Sequence, residues 1–270
     1  VASPQGCTGR NIADYGVNPD EFQGETSRSA GTLVKQGETG VQWGTSETAD
    51  FYSIYPQRND VEQYKVTTTN GSSFYINAPE TQTCIVEVDN TPKMTTADMN
   101  SCFMYAKTVG VERGKDVELQ YVPFSTAIRF TLTAPINGSE VTISNIKLEA
   151  PTDNPITGNY TVDLTSVSAT NYPTVTAGTN AKNSVTVFAQ YESGAYLTLS
   201  NNKSIELNAF IMLDSSKKYD ISNGWKLSVV VNGKQQTLSL DGKNGGQNGI
   251  LTAGKVHRLP TLPALNGSEW

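Results

Sequence analysis

The sequence has little of what catalysis and metal binding usually need. It contains one histidine, His257, and three cysteines among 270 residues, with no CxxC pair. A histidine-dependent triad could use only His257, and its neighbours Lys255 and Arg258 provide no carboxylate partner, so a structural strand histidine is the favoured interpretation. An ordinary zinc site is disfavoured for the same reason.

The chain also lacks long hydrophobic runs and basic clusters. No stretch approaches the roughly 20 apolar residues of a membrane helix, which predicts no transmembrane helix. The net charge is −6, and no Lys/Arg cluster suits a phosphate backbone, which argues against a nucleic-acid partner. Charged residues make up only 17% of the chain. Together with abundant Thr, Ser, Asn and Gly, this favours a secreted or cell-surface domain over a cytosolic enzyme.

The sequence also contains no strong motif for binding a cofactor and none that selects a pair of catalytic carboxylates. The glycine-rich loop at 241–246 lacks the Gly-Lys-Ser/Thr ending of a phosphate cradle and the acidic spacing of a calcium loop, so no cofactor or metal is predicted. A pair of carboxylates for glycoside hydrolysis stays open, because two such residues can be far apart in sequence. The acidic residues that stand beside turns are expected to be solvated or capping groups: Asp89, Asp98, Asp214 and Asp220.

The clearest pattern in the chain is the alternation of apolar and polar residues. In 127–133 the apolar side chains of Ile128, Phe130 and Leu132 fall on every second residue, which predicts a half-buried strand. The same pattern returns from Val117 to Leu259. We therefore predict an all-β protein of stacked antiparallel sheets, a class that more often binds, adheres or assembles than performs chemistry.

Two irregularities and the length suggest how these strands are organised. The apolar parity changes across Pro123, where we expect a bend, a bulge or a change of sheet, and again at Asn145. Residues 205–213 are apolar enough for a strand covered on both faces. The length predicts two domains. We assign 1–31 to an extended or poorly ordered leader, 32–112 to one β-sandwich and 113–270 to a second, with the boundary between 110 and 150.

The cysteines leave alternatives open. Cys84 and Cys102 are close enough in sequence for a disulfide, and the alternative is two separate buried thiols. Cys7 is a candidate lipid attachment site, which Gly6 suits and the other preceding residues do not.

Aromatic residues offer a possible sugar platform, although each candidate lies in or beside an apolar strand, so core packing is favoured. The candidates are Trp43, Tyr52, Tyr55 and Trp225.

Several segments, in this order and spacing, resemble the fimbrillin-like proteins of Bacteroides-type bacteria, and the likeness covers most of residues 40–260. They are Trp43-Gly44, Phe51-Tyr52-Ser53-Ile54-Tyr55-Pro56, Phe103-Met104-Tyr105-Ala106-Lys107-Thr108, Val117-Glu118-Leu119, Ser125-Thr126-Ala127-Ile128-Arg129-Phe130, Asn159-Tyr160-Thr161-Val162-Asp163 and 251–259.

The resemblance implies two transthyretin-like or immunoglobulin-like sandwiches with Greek-key connections, exported as a lipoprotein precursor to the outer membrane. It implies a role in a pilus, without cofactors or catalysis. In polymerising members a protease cuts after a leader arginine, which frees a groove for a strand donated by the next subunit. Arg28 matches that arginine best and Arg10 is the second candidate. An ordinary surface arginine is the alternative.

The C-terminal tail differs from what a long donor strand would need. Pro260 and Pro263 each remove a backbone donor, which favours a tip, accessory or anchor role over a stalk subunit. The expected partners are other pilus subunits and a host or bacterial surface glycan or protein. A surface carbohydrate-binding module is the alternative function.

Overall fold

The computed structural model describes residues 1–2, 12–17, 31–37, 40–57, 65–68, 70–86, 95–136, 138, 140–168, 171–242 and 249–265. Within these ranges the protein is all-β, as predicted, apart from a 3₁₀ helix at Met99–Ser101. The side chain of Asp98 caps this helix by accepting a hydrogen bond from the Asn100 N–H. None of the described helical structure is long and apolar enough to cross a membrane.

The strands, in chain order, are β1 Tyr15–Val17, β2 Leu33–Lys35, β3 Thr48–Tyr55, β4 Thr67–Thr68, β5 Ser73–Ala78, β6 Thr81–Val86, β7 Thr95–Thr96, β8 Met104–Glu112, β9 Val122–Pro123, β10 Thr126–Thr133, β11 Val141–Glu149, β12 Gly158–Asp163, β13 Thr174–Ala177, β14 Ser184–Tyr191, β15 Leu197–Leu199, β16 Ser204–Ile211, β17 Lys226–Val231, β18 Lys234–Ser239 and β19 Val256–Arg258.

Four of the sheets enclose two hydrophobic cores. The larger core lies between the sheet β16-β10-β19 and the sheet β18-β17-β11-β14-β6-β7, in which β15 also pairs with β11. It contains Trp225, Ile128 and Leu132. The smaller core lies between β3-β8-β9 and β13-β12-β5-β4, and it contains Phe74 and Tyr160. A separate pair, β1-β2, lies beside the smaller core.

Strands from both halves of the chain contribute to both cores. β5 pairs with β12 around the smaller core, whereas β6, only two residues further on, pairs in parallel with β14 around the larger one. A second parallel pair joins β10 to β19. The predicted antiparallel sheets therefore also contain two parallel strand pairs. The proposed division at residue 113 stays a prediction, and hydrogen-bonded strand pairs cross it.

The alternation in β10 has the predicted consequence. Ile128, Phe130 and Leu132 are at most 1% exposed and face the larger core. At Pro123 the chain leaves the sheet of β8 and β9 and enters the sheet of β10, which is one of the expected outcomes. The register of β11 against β17 shifts between Ile143 and Ile146, which places a bulge at the predicted parity change.

Side chains from β6 and β7 form hydrogen bonds with the backbone at the outer edge of β16. The amide of Gln82 bonds the backbone of Phe210 in both directions, donating at 2.6 Å and accepting at 2.8 Å. The thiol of Cys84 donates to the Asn208 carbonyl at 3.4 Å, and the Thr95 hydroxyl donates to the Glu206 carbonyl at 3.0 Å. These contacts substitute for a neighbouring strand.

Of the two alternatives left open for Cys84 and Cys102, the structure has the separate buried thiols. Cys84 and Cys102 are free, buried thiols. Cys84 faces the larger core from β6, whereas Cys102 packs with Ala127 and Phe210 in a separate cluster on the opposite face of β10. Burial raises the pKa of both thiols, so they pack as small apolar groups.

The C-terminal segment continues along the edge of β10, in the same direction as that strand. After β19, the Leu265 N–H donates to the Thr133 carbonyl at 2.8 Å. Leu262 and Leu265 are buried in the larger core. The segment 117–121 is not a strand. Instead, Val117 and Leu119 pack against the outer face of β3.

Candidate functional site

The first two residues complete the free edge of β3. The Ala2 N–H donates to the Tyr52 carbonyl at 2.7 Å, and the Tyr52 N–H donates to the Ala2 carbonyl at 2.8 Å. Ala2 is fully buried and belongs to the smaller core. This reciprocal exchange is the geometry of an antiparallel strand added to a sheet edge.

A second leader segment covers the first. The Ala13 N–H donates to the Val1 carbonyl at 3.0 Å, and the Val1 nitrogen donates to the Ala13 carbonyl at 2.9 Å. The same segment continues into β1, which pairs with β2 over three residues. The leader therefore supplies layers outside β3 that are held mainly by backbone hydrogen bonds.

A cavity of about 740 Å³ separates the leader from the sheets. On one side it is lined by Ile12 and Tyr15 of the leader and by Leu33 of β2. On the other side it reaches Ile54 and Phe74 of the smaller core. Removing the leader would thus expose both a backbone edge and apolar side chains.

Polar groups at this cavity are already paired with one another. The hydroxyls of Ser53 and Tyr121 are 2.6 Å apart, and burial raises the pKa of Tyr121. The amide of Gln57 accepts from the Val66 N–H at 2.8 Å and donates to the Val66 carbonyl at 3.3 Å, which mimics a strand partner. Such groups can orient backbone and bind polar ligands, but they do not form a nucleophile with an adjacent base.

The acidic residues singled out from the sequence are capping groups where they are described. Asp214 accepts hydrogen bonds from Ser216 and from the Ala177 N–H. Burial by itself raises the pKa of Asp214, but these hydrogen bonds outweigh it and lower the pKa below its ordinary value. The hydroxyl of Ser222 lowers the pKa of Asp220 in the same way. Asp89 lies outside the described residues.

The histidine also has a structural partner. His257 Nε2 accepts a hydrogen bond from the Thr252 N–H at 2.9 Å. In the part of the chain that the structure describes, no group of three or more His, Cys, Asp or Glu side chains is placed to hold a metal ion.

Two of the four aromatic candidates for a sugar platform are buried. Trp225 is 0% exposed in the larger core and Tyr52 is 7% exposed in the smaller one. Trp43 packs edge-on against Phe51, with ring centroids 5.6 Å apart. Tyr55 is 44% exposed and touches the ring of Tyr121. The expected core packing is confirmed for the first two.

The processing and lipidation candidates Arg28, Arg10 and Cys7 lie outside the described residues. Sequence reasoning did not identify two other candidate functional residues, Ala2 and Tyr75. Ala2 gave no sequence signal, because a single alanine carries no periodicity. Tyr75 did, because it alternates with the buried Phe74 and Ile76 and so had to face outward, where it is 48% exposed.

The comparisons with known proteins support the fold. No family model matches the chain, and no curated protein matches it. A solved structure named as a candidate cell adhesion protein from Bacteroides uniformis is 12% identical with a TM-score of 0.51, covering 96% of this chain and 82% of its own. One so named from Bacteroides ovatus is 15% identical with a TM-score of 0.43, covering 87% and 71% respectively.

Proposed function

We propose that this protein is a non-catalytic adhesive protein of the cell surface, a fimbrial subunit of tip, accessory or anchor type. It assembles by accepting a strand at β3 after its leader is cut. Its partners are other subunits of the fibre, and a surface glycan or protein that the fibre binds. The names of the similar solved structures agree with adhesion rather than catalysis.

The observation that carries the proposal is the reciprocal hydrogen bonding of Ala2 with Tyr52. A sheet edge that loses its neighbour presents unpaired N–H and C=O groups, and an added strand satisfies them. Because Ala2 is also fully buried, its departure opens a site for a side chain as well as for backbone. A donated strand would supply both.

The position of Arg28 suits release of the leader. It lies between β1 and β2, so a cut after it leaves β1 and the residues before it attached only by non-covalent contacts. The β1–β2 pair extends over just three residues. We therefore expect the cut leader to dissociate far more readily than an uncut one.

The C-terminal segment favours a tip, accessory or anchor role. Its buried leucines, Leu262 and Leu265, are engaged in the larger core of the same chain. With Pro260 and Pro263 unable to donate, the segment is a poor strand to lend to a neighbour.

Limited trypsin digestion followed by size-exclusion chromatography tests the proposal. We expect one early cut after Arg28, loss of the leader, and growth into oligomers or capture of a synthetic strand peptide. Arg28→Ala should block the cut and the assembly, whereas the matched variant Arg10→Ala should leave both unchanged. A cleaved protein that retains its leader, or that loses it and accepts no strand, would refute strand addition at β3.

A further inference from the structure

The outer face of the sheet β13-β12-β5-β4 is polar and carries one exposed aromatic ring. Its inner face supplies Phe74 and Tyr160 to the smaller core, so the alternate residues point outward. The outward side chains of the described strands are hydroxyl, amide or carboxylate groups, together with Tyr75: Thr67, Ser73, Tyr75, Asn77, Asn159, Thr161, Asp163, Thr174 and Thr176.

The strand register brings these groups into rows across the sheet. Tyr75 lies between Thr67 of β4 and Thr161 of β12. In the next row Asn77 lies directly opposite Asn159. Directly opposed residues in an antiparallel pair have Cβ atoms about 5 Å apart, so the two amides stand side by side next to the ring.

A cleft of about 310 Å³ opens where these two rows meet. Its lining includes Lys65, Tyr75, the two asparagines and Thr161, and Gly178 borders it. Lys65 is already engaged in an interaction within the protein. A Cβ on Gly178 would come within 3.2 Å of the Asn159 carbonyl oxygen and 3.3 Å of the Asn159 Cβ, so a side chain at this position would crowd Asn159.

The polar groups of the cleft are available to a ligand. No hydrogen bond joins the side-chain amide of Asn77 or Asn159 to another of the described residues. Each amide can donate and accept at once, as the adjacent hydroxyls of a sugar require. The ring of Tyr75 offers an apolar face with a polar tip, which suits the C–H face of a pyranose.

We propose that this cleft binds a neutral glycan through a terminal hexose, with Tyr75 as the stacking platform and the Asn77–Asn159 pair as the hydroxyl clamp. The volume is at the lower end of small-molecule sites and fits one or two sugar rings. The inference deepens the proposed adhesive function by naming a ligand class, and it does not depend on assembly. Such a small, open site binds weakly alone and gains strength when many copies are presented on one cell surface.

Saturation-transfer NMR on the uncut monomer tests the cleft, with methyl glycosides of glucose, galactose and mannose as probes, followed by a printed array of neutral and acidic oligosaccharides. We expect binding of at least one neutral probe. Tyr75→Ala and Asn159→Ala should each weaken it about tenfold or more, which corresponds to about 1.4 kcal/mol. Gly178→Asn, which fills the cleft, should do the same.

Tyr196→Ala is the matched control, since Tyr196 is 45% exposed and lies beside β15, paired with Gln190, in the sheet of the larger core. It should bind like the unmodified protein, and thermal melts should show all four variants folded. No binding to any neutral probe, binding only to acidic sugars, or equal loss in Tyr75→Ala and Tyr196→Ala would overturn the inference. Because the monomer is uncut, failure here leaves strand addition untouched, and failure of assembly leaves this assay unaffected.

Discussion

Removing the hydroxyl group from Tyr219 is expected to destabilise the protein, whereas removing it from Tyr160 is not. Both side chains are at least 98% buried, and Tyr→Phe makes the same chemical change at each. The Tyr219 hydroxyl donates to the Pro155 carbonyl at 2.8 Å and accepts from the Asp214 N–H at 3.0 Å. The Tyr160 hydroxyl is buried with no hydrogen-bond partner among the described residues.

The magnitudes follow from these contacts. Tyr219→Phe leaves the Asp214 N–H unpaired in a buried position and should lower the free energy of unfolding by about 1–3 kcal/mol. Tyr160→Phe removes a group that folding desolvates without compensation, and should leave stability unchanged or raise it by about 1 kcal/mol. Burial raises the pKa of Tyr219 to about 12 and that of Tyr160 further, so neither result reflects ionisation at neutral pH.

Urea unfolding at pH 7 measures both variants against the unmodified protein. In thermal melts each kcal/mol should shift the midpoint by about 2–4 °C for a chain of this size. If Tyr160→Phe cost as much as Tyr219→Phe, the Tyr160 hydroxyl would have a hydrogen-bond partner, and the interior of the smaller core would differ from the one described.

Three further perturbations test other parts of the fold. Gln82→Leu removes both side-chain bonds to Phe210 and should lower the free energy of unfolding by about 2–4 kcal/mol in urea titrations, whereas Gln235→Leu on exposed β18 should be nearly neutral. The lowered pKa of Asp214 means that its carboxylate stabilises the fold above the ordinary value of 3.8 and loses this effect as pH falls through the folded pKa. The advantage of the unmodified protein over Asp214→Asn should therefore persist at neutral pH and shrink as the pH is lowered below 3.8, and an unchanged difference would contradict the assigned bonds. The fragment 113–270 lacks β6 and should not fold alone, and circular dichroism showing a cooperative melt would refute the shared sheets.

The local features were predictable because they depend on neighbours in sequence. Alternation predicted β10 and its buried face. The dipeptide Asn232-Gly233, a type that favours hairpin turns, lies between β17 and β18, where both residues have positive φ. The same reasoning failed at 117–121, whose alternating residues pack on the outer face of β3 without joining a sheet. Alternation reports a buried face but does not require a strand partner.

The long-range arrangement was not predictable from local patterns. Periodicity cannot indicate that β5 and β6 diverge into different sheets after two residues. Nor can it indicate that β6 pairs in parallel with β14 and β19 with β10. For the candidate site, the edge of β3 was predictable as a strand, but its partner was not, because Ala2 carries no pattern of its own. The outward position of Tyr75 was predictable from Phe74 and Ile76, whereas the asparagine pair beside it depends on the register of β5 against β12.

The central claim is that the leader occupies the edge of β3 that a donated strand would take. Amide hydrogen exchange at Tyr52 tests it most directly, in the intact protein, after trypsin cleavage and removal of the leader, and after addition of a donor peptide. We predict slow exchange, then fast, then slow again, with the Met212 N–H, which donates to the Ile156 carbonyl, protected throughout as the control. Tyr52 exchange that stays slow once the leader is gone, or stays fast with the donor bound, would contradict the account.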